Sequence, residues 1–308
     1  MANFLVSGGC GFIGREVVKR LMSAGHRVRV LDNLAYGQIS GMAGAVELIN
    51  GSVGDRTVLV SALDGVDRCI HLAGSPVLDC PRANRADHLE VFKNSADTFF
   101  DTAASAGIPV IYASSAAVYG EAANSPIAET TPCDPVNSHG MEKVALERAA
   151  ASAAETTGLA SMGLRMFNVY GAGQLPSSPY CGVVRLFADR VLRAEPVTVA
   201  GDGSQQRDFI YVDDAARAIV AAATREPKGA DVINICSGVP VTVAQVIDQL
   251  ERVAGRELEV VFNGLADAGV RLSVGLPDKA REILGFQASV PFDHGVALMM
   301  EALMNAPE

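Results

Sequence analysis

Short apolar runs alternate along the first half of the chain with longer stretches in which apolar residues return at helical spacing. Asn3 to Ser7 is the first run, and Arg15 to Met22 carries the first helical pattern, ended by Gly25. Strands are expected at His26 to Leu31 and Ala45 to Ile49, followed by a short helix that ends at Leu63. A strand at Arg68 to Leu72 precedes a helix of about His88 to Ala106, stopped by Gly107, and then a strand at Pro109 to Ala113. An alanine-rich helix of about Ser138 to Thr156, closed by Gly158, leads into a strand at Leu159 to Phe167. β-α units of this length predict an α/β protein with a doubly wound parallel sheet, whose ligands sit outside the strand C-termini.

From Gly171 the alternation breaks. A Gly/Pro/Ser-rich loop reaches Tyr180, a helix follows through Val183 to Leu192, and Val197 to Val199 reads as a strand before the turn Gly201-Asp202-Gly203-Ser204. Arg207 to Val212 alternates and enters a helix at Asp213-Asp214, and Thr242 to Ala254 is helical. An extended piece at Leu258 to Phe262 and two more helices complete the chain. The expected organisation is a sheet domain of residues 1–172, to which 208–238 return. A smaller C-terminal α/β lobe of 173–207 and 239–308 would close over it and hold the substrate.

Composition narrows the picture. The 308 residues can bury a large core. With 49% apolar and 19% charged residues the chain reads as compact and soluble, not disordered. A net charge of −10 argues against nucleic acid or an anionic membrane as partner. The cysteines at 10, 69, 80, 133, 181 and 236 form no Cys-x-x-Cys, so neither a disulfide framework nor a metal site is indicated. No secretory signal and no bilayer-length apolar run is visible, and a cytoplasmic protein with reduced thiols is expected.

The first strand feeds Gly8-Gly9-Cys10-Gly11-Phe12-Ile13-Gly14. Glycine at 8 allows a tight turn, at 11 it lets backbone approach a diphosphate, and at 14 it lets the helix pack close to the strand. The free amides of the first helical turn and the helix dipole favour an anion there. Asp32 stands 18 residues past Gly14, where an acid that accepts hydrogen bonds from an adenosine ribose is expected. An acid that only caps a turn would fit the same place. Asn33-Leu34-Ala35-Tyr36-Gly37 holds no arginine for a 2′-phosphate, which predicts NAD as cofactor and not NADP.

Further stretches extend the pattern: His71-Leu72-Ala73, Ser114 to Gly120, Phe167-Asn168-Val169-Tyr170-Gly171, Ser177 to Val183, and Gly201-Asp202-Gly203 with Arg207-Asp208-Phe209 to Asp214. With the glycine turn and Asp32-Asn33-Leu34 they make nearly the whole chain resemble the extended short-chain dehydrogenase/reductases of the nucleotide-sugar epimerase/dehydratase family. The last two stretches are most similar to bacterial UDP-hexose 4-epimerases. The resemblance implies a Rossmann domain with Gly8, Gly11, Phe12, Ile13, Gly14, Asp32, Asn33, Ser52, Val53, Leu72, Ala73 and Lys143 around NAD. In that family a Ser or Thr, a Tyr and a Lys move protons while NAD takes and returns a hydride. The serine matches Ser115 and the lysine Lys143. The tyrosine position, four residues before the lysine, is His139 in Ser138-His139-Gly140-Met141-Glu142-Lys143.

Residues i and i+4 share a helical face, so His139 and Lys143 can point at one site. An imidazole titrates near 6.5, and a neighbouring Lys⁺ disfavours its charged form, so His139 would be neutral at pH 7 and able to accept a proton. The alternative is a lost catalytic position in a cofactor-binding shell. The family's dehydratases and decarboxylases resemble one another in carboxylates where this chain has Ala116 and Ala117, so elimination lacks its acid and base.

On the nucleotide side the resemblance makes Asn168 and Arg207 diphosphate contacts, the alternative for Arg207 being an ion pair with Asp208 or Asp213. It makes Tyr180, Val183 and Ser273 substrate contacts, the small Ser273 leaving room for an N-acetyl group. A second family arginine falls on Ala266, with Arg185 and Arg271 as substitutes by neighbourhood. Ser52 and Phe92 stand where an Asp and an Asn are usual. His71 reads as a core residue. The expected function is NAD-dependent epimerisation of a nucleotide-activated sugar, at C4 of a UDP-hexose or UDP-N-acetylhexosamine. The rivals are a nucleotide-sugar ketoreductase and an NAD-binding homologue without turnover. Helices 88–106 and 138–156 resemble the pair through which the family forms homodimers.

Overall fold

A computed structural model describes residues 1–39, 41–42, 44–74, 85–122, 124–178, 180–264 and 270–305. In chain order the strands of its first half are β1 (Asn3–Ser7), β2 (Arg27–Asp32), β3 (Glu47–Asn50), β4 (Arg68–His71), β5 (Val110–Ser115), β6 (Ser161–Met166) and β7 (Asn168–Tyr170). Later come β8 (Val197–Val199), β9 (Gln206–Tyr211), β10 (Ala230–Ile235), β11 (Pro240–Thr242), β12 (Val260–Phe262) and β13 (Leu272–Ser273). The helices are α1 (Phe12–Ser23), α2 (Arg56–Leu63), α3 (Arg85–Ala106), α4 (Ser138–Thr157), α5 (Val183–Arg193), α6 (Val212–Ala223), α7 (Val243–Ala254), α8 (Asp278–Leu284) and α9 (Phe292–Met304).

Seven parallel strands form the main sheet in the order β10-β6-β5-β4-β1-β2-β3. The doubly wound α/β architecture expected from the pattern is therefore the one found. The order reverses between β1 and β4, where Ser7 lies opposite Leu31 on one side and His71 on the other. Connections leaving in opposite directions open a crevice at such a point. Alternate residues of β1 bury on opposite faces: Phe4 and Val6 pack with Val17, Leu21 and Ile219, whereas Leu5 packs with Leu31, Phe99 and Ala150. Each such fully buried large side chain stabilises the fold by about 1.5–3 kcal/mol, so both sheet faces must be covered by helices.

The later segments build a second core. Val184, Phe187 and Val191 of α5, Val246 and Leu250 of α7 and Met299 of α9 bury against Phe209 of β9. Here β9 pairs antiparallel with β11 and parallel with β13 and β7, and β8 pairs with β12. The pattern assigns no strand at β10, because Asp231 and Asn234 interrupt its apolar run. Asn234 is nonetheless fully buried: its amide donates to the Ile127 carbonyl at 2.8 Å and its oxygen accepts from the Tyr119 hydroxyl at 2.6 Å. Satisfied hydrogen bonds remove the penalty that would keep an asparagine out of a buried strand position. Among the described residues no helix is long and apolar enough to cross a membrane, and no group of three His, Cys, Asp or Glu is placed to hold a metal. Cys10, Cys69, Cys133, Cys181 and Cys236 carry free thiols, and Cys80 lies outside the described residues.

Candidate active site

The turn after β1 is shaped by what its glycines touch. A Cβ on Gly8, whose φ is +72°, would lie 2.6 Å from the Ala73 amide nitrogen, and one on Gly14 would lie 2.2 Å from the Gly8 carbonyl oxygen. Backbone cannot yield to such contacts cheaply, so the sequence must be glycine for β1, the turn and α1 to close up. Gly11 is the N-cap of α1 and supplies no side-chain acceptor to its first amides. Asp32, at the end of β2, accepts from the Cys10 amide at 2.9 Å and from Leu34 at 2.8 Å. It caps two turns, and it also lines the crevice.

That crevice is a cavity of about 520 Å³ at the sheet switch point. It gathers Gly8, Gly11, Phe12, Ile13, Gly14, Asp32, Asn33, Ser52, Val53, Leu72, Ala73, Ser115, His139, Lys143 and Tyr180. Cys10, Tyr36, Gly37 and Gln174 line it too; no local signal in the sequence marks Tyr36 or Gln174 as wall residues. Glycine turn, first-turn amides and an acid on the neighbouring strand fit a dinucleotide: anion at the amides, ribose hydroxyls at the carboxylate.

At the far end of the cavity α4 brings its first turn to β5. Asn137 caps the helix, accepting from the Gly140 amide at 2.8 Å. A Cβ on Gly140 would lie 2.4 Å from the Ala117 carbonyl oxygen, so glycine is what lets the helix approach the loop beyond Ser115. Ser115 Oγ accepts from the Ala117 amide at 3.1 Å. Lys143 is buried, its Nζ donating to the Ala113 carbonyl at 2.8 Å. Burial lowers its ammonium to about 8, against the raising effect of Glu142 and Glu147. His139 is lowered to about 3, by burial first and Lys143 second. The first turn of a helix disfavours a cation as well. Its Nδ1 is buried without a hydrogen-bond partner. Tyr180 packs edge-on against the imidazole, with ring centres 5.5 Å apart, and a Cβ on Gly74 would lie 3.2 Å from its hydroxyl.

His71 is a second buried, neutral imidazole, 2.7 Å from Ser7 Oγ, stacked on Phe99 and lowered to about 3 by burial and then Lys143. Both histidines take a proton near 6.5 when unfolded but not when folded. Stability is therefore full above about pH 7 and is lost as pH falls from 6.5 toward 3. Between pH 7 and pH 5 each histidine should remove about 2 kcal/mol of unfolding free energy. Urea unfolding at the two pH values checks this, and His139→Tyr should reduce the loss by about one histidine's share. Equal acid sensitivity in variant and parent would refute it.

Asn168, Val183, Arg207 and Ser273 lie outside the lining of this cavity. Three of them gather at β9: Arg207 is on it, Ser273 sits opposite Arg207, and Asn168 sits opposite Phe209. The Asn168 amide donates to the Asp208 carbonyl at 2.8 Å; Val183 begins α5. The ion-pair alternative for Arg207 is overturned. Asp208 is taken up by Ser237, Gly238 and Gly275, and Asp213 pairs with Arg20. Arg207 donates to the neighbouring Gln206 carbonyl, and among the described residues no carboxylate pairs with it. Burial lowers its pKa. Arg185 is removed as a substitute diphosphate contact, being buried with its guanidinium on the Gln174 carbonyl at 3.0 Å and on Asp189 at 3.3 Å. Ala266 lies outside the described residues.

A glycine cradle and an acid at a sheet switch point, joined to a serine, a histidine and a lysine, define a dinucleotide-dependent α/β protein equipped to move protons. Residues 4–236 match the model of the NAD dependent epimerase/dehydratase family, and the chain belongs to that family. It is 31% identical over 299 residues to the UDP-glucose 4-epimerase of Azospirillum brasilense, covering 92% of this chain and 86% of that one. Its structure is similar to the UDP-glucose 4-epimerase of Thermotoga maritima solved with UDP-glucose, with a TM-score of 0.91, 30% identity and 98% of each chain covered. It is also similar to the UDP-glucose 4-epimerase of Thermus thermophilus in complex with NAD, with a TM-score of 0.87 and 28% identity over 99% of this chain and 100% of that one.

Proposed function

We propose that the protein is an NAD-dependent epimerase of a nucleotide-activated sugar, acting at C4 of a UDP-hexose or UDP-N-acetylhexosamine. The observation that carries this reading is the meeting, in one cavity, of the glycine cradle and Asp32 with Ser115, His139 and Lys143. NAD supplies a hydride acceptor and donor when bound. Gly8, Gly11 and Gly14 admit its diphosphate, with Phe12, Ile13, Asn33, Ser52, Val53, Leu72 and Ala73 completing the wall.

Ser115 keeps its hydroxyl proton and a lone pair beyond the Ala117 contact, enough to hydrogen-bond the reacting sugar hydroxyl. His139, neutral at pH 7, accepts the hydroxyl proton and gives it back; burial beside Lys143 makes the imidazolium a ready donor for the return. Lys143 spends one N–H on Ala113 and keeps two for ribose hydroxyls. The alanines at 116 and 117 leave elimination without an acid or base. Arg207, lacking a carboxylate partner among the described residues, and Asn168 hold the diphosphate; a guanidinium suits a phosphate by geometry as well as charge. Tyr180 and Val183 border the substrate, and Ser273 leaves room for an N-acetyl group.

The test is to mix purified protein with UDP-hexoses and with UDP-N-acetylhexosamines and follow C4 interconversion by NMR. Interconversion is expected. The strongly lowered His139 favours one second reading, an NAD-binding homologue without turnover. Bound NAD with no interconversion of any sugar would select it. Reduction of a 4-keto sugar in step with cofactor oxidation would instead mark a ketoreductase. A homodimer through α3 and α4, which pack on each other through Phe100, Ala103, Leu146 and Ala150, is part of the same reading. Sedimentation equilibrium at twice the chain mass supports it, and a monomer refutes it.

A further inference from the structure

His139, Lys143 and Glu147 recur every four residues on α4 and so lie along one helix face. The first two line the cavity, and the third turns inward to a buried network. Glu147 accepts from Ser114 Oγ at 2.5 Å and pairs with Arg165 of β6 through both oxygens, at 2.9 and 2.7 Å. Arg165 in turn donates to the Tyr119 hydroxyl at 3.0 Å and to the Glu129 carbonyl at 3.1 Å. Tyr119 continues to Asn234 of β10. One carboxylate thus ties α4 to β5, β6 and the turn after Ser115.

Ser114 and Ser115 are successive residues at the end of β5, so their side chains leave opposite faces of the strand. Anchoring Ser114 fixes the strand end from behind and sets the direction in which Ser115 enters the cavity. A buried ion pair is a weak stability device compared with apolar residues of the same volume, because desolvating both charges offsets their attraction. A fully satisfied pair at this junction is better explained by the geometry it imposes. The charged and titratable groups around Lys143 are His139, Glu142 and Glu147 on its own helix and His71 at the end of β4, with Arg165 of β6 behind Glu147. The two glutamates oppose the effect of burial on the ammonium.

We propose that Glu147 is a positioning residue of this site: through Ser114 and Arg165 it locks the strand end bearing Ser115 to the helix face bearing His139 and Lys143, and it supplies countercharge to the Lys143 ammonium. The inference rests on the epimerase reading for its kinetic consequence, but not for its effect on Lys143.

The experiment uses the full chain with NAD bound and compares Glu147→Gln and Ser114→Ala with the parent. For Glu147→Gln, kcat should fall at least tenfold while KM changes less than threefold, and the alkaline limb of the pH–rate profile should move to lower pH. Ser114→Ala keeps the charge and removes one hydrogen bond, so kcat should fall without movement of the limb. Lysine side-chain NMR, with the Lys143 signal identified as the one missing from Lys143→Met, reads the titration without turnover. Its midpoint should drop by at least half a pH unit in Glu147→Gln and stay put in Ser114→Ala. If the parent shows no turnover, the epimerase reading fails while this titration still decides the role of Glu147. An unmoved Lys143 midpoint in Glu147→Gln, or kcat within twofold of the parent for both variants, overturns the proposal. Should Glu147→Gln not fold, Ser114→Ala decides alone: parental kcat overturns it, and a fall of threefold or more with an unchanged melting temperature supports it.

Discussion

Gly14→Ala is expected to yield protein that retains no NAD. The added methyl would stand 2.2 Å from the Gly8 carbonyl oxygen and 2.7 Å from the Gly9 Cα, both backbone atoms. No rotamer relieves that contact, so α1 must move away from the turn it follows. Moving it displaces the first-turn amides from the position in which they meet an anion. Overpacking a close backbone contact costs about 1–3 kcal/mol, sometimes more, which a protein of this size survives. The variant should fold with a lowered melting temperature while its affinity for NAD drops at least a hundredfold. Titration calorimetry and the cofactor content of purified protein measure the two separately. Parental NAD content would mean that the cradle is not where the dinucleotide diphosphate lies.

His139→Ala should lower kcat by about 10²–10⁴-fold, the usual worth of a positioned general base, with NAD still bound. Because His139 is held at about 3, its protonation should not limit the rate down to pH 5. The fall should come on the alkaline side, as Lys143 loses its proton near pH 8. His139→Tyr is the sharper variant. A phenol is longer than an imidazole, and Tyr180 already packs edge-on against the ring at that position. A fall in rate is therefore expected, marking the histidine as a working residue with its own geometry. A large gain in rate would instead show a decayed tyrosine position.

Pattern alone located β1, the glycine turn, α1 and Asp32, because each depends on neighbours in sequence: a glycine where a Cβ would collide, an acid at a strand end. It also placed His139 and Lys143 on one helical face, a consequence of helix geometry. Strand β10 escaped it, since Asp231 and Asn234 look polar until the distant partners of Asn234, Tyr119 and Ile127, are known. The same is true of Arg207. Its sequence neighbours Asp208 and Asp213 invite an ion pair, and only the fold shows both acids committed elsewhere. Arg185 looked available for a phosphate and is instead buried against the loop that carries Tyr180.

By itself, then, the amino-acid order determined the alternation of strands and helices and the dinucleotide turn, both set by contacts within a few residues, while its resemblance to a known family pointed to the serine, histidine and lysine. The tertiary structure decided the rest. It set Tyr180 against His139, placed Glu147 between β5 and β6, and turned ordinary ionisable groups into a neutral imidazole and a weakened ammonium. Burial and charge pairing are sums over residues far apart in sequence, and desolvation of an ionisable group exists only once other segments have covered it.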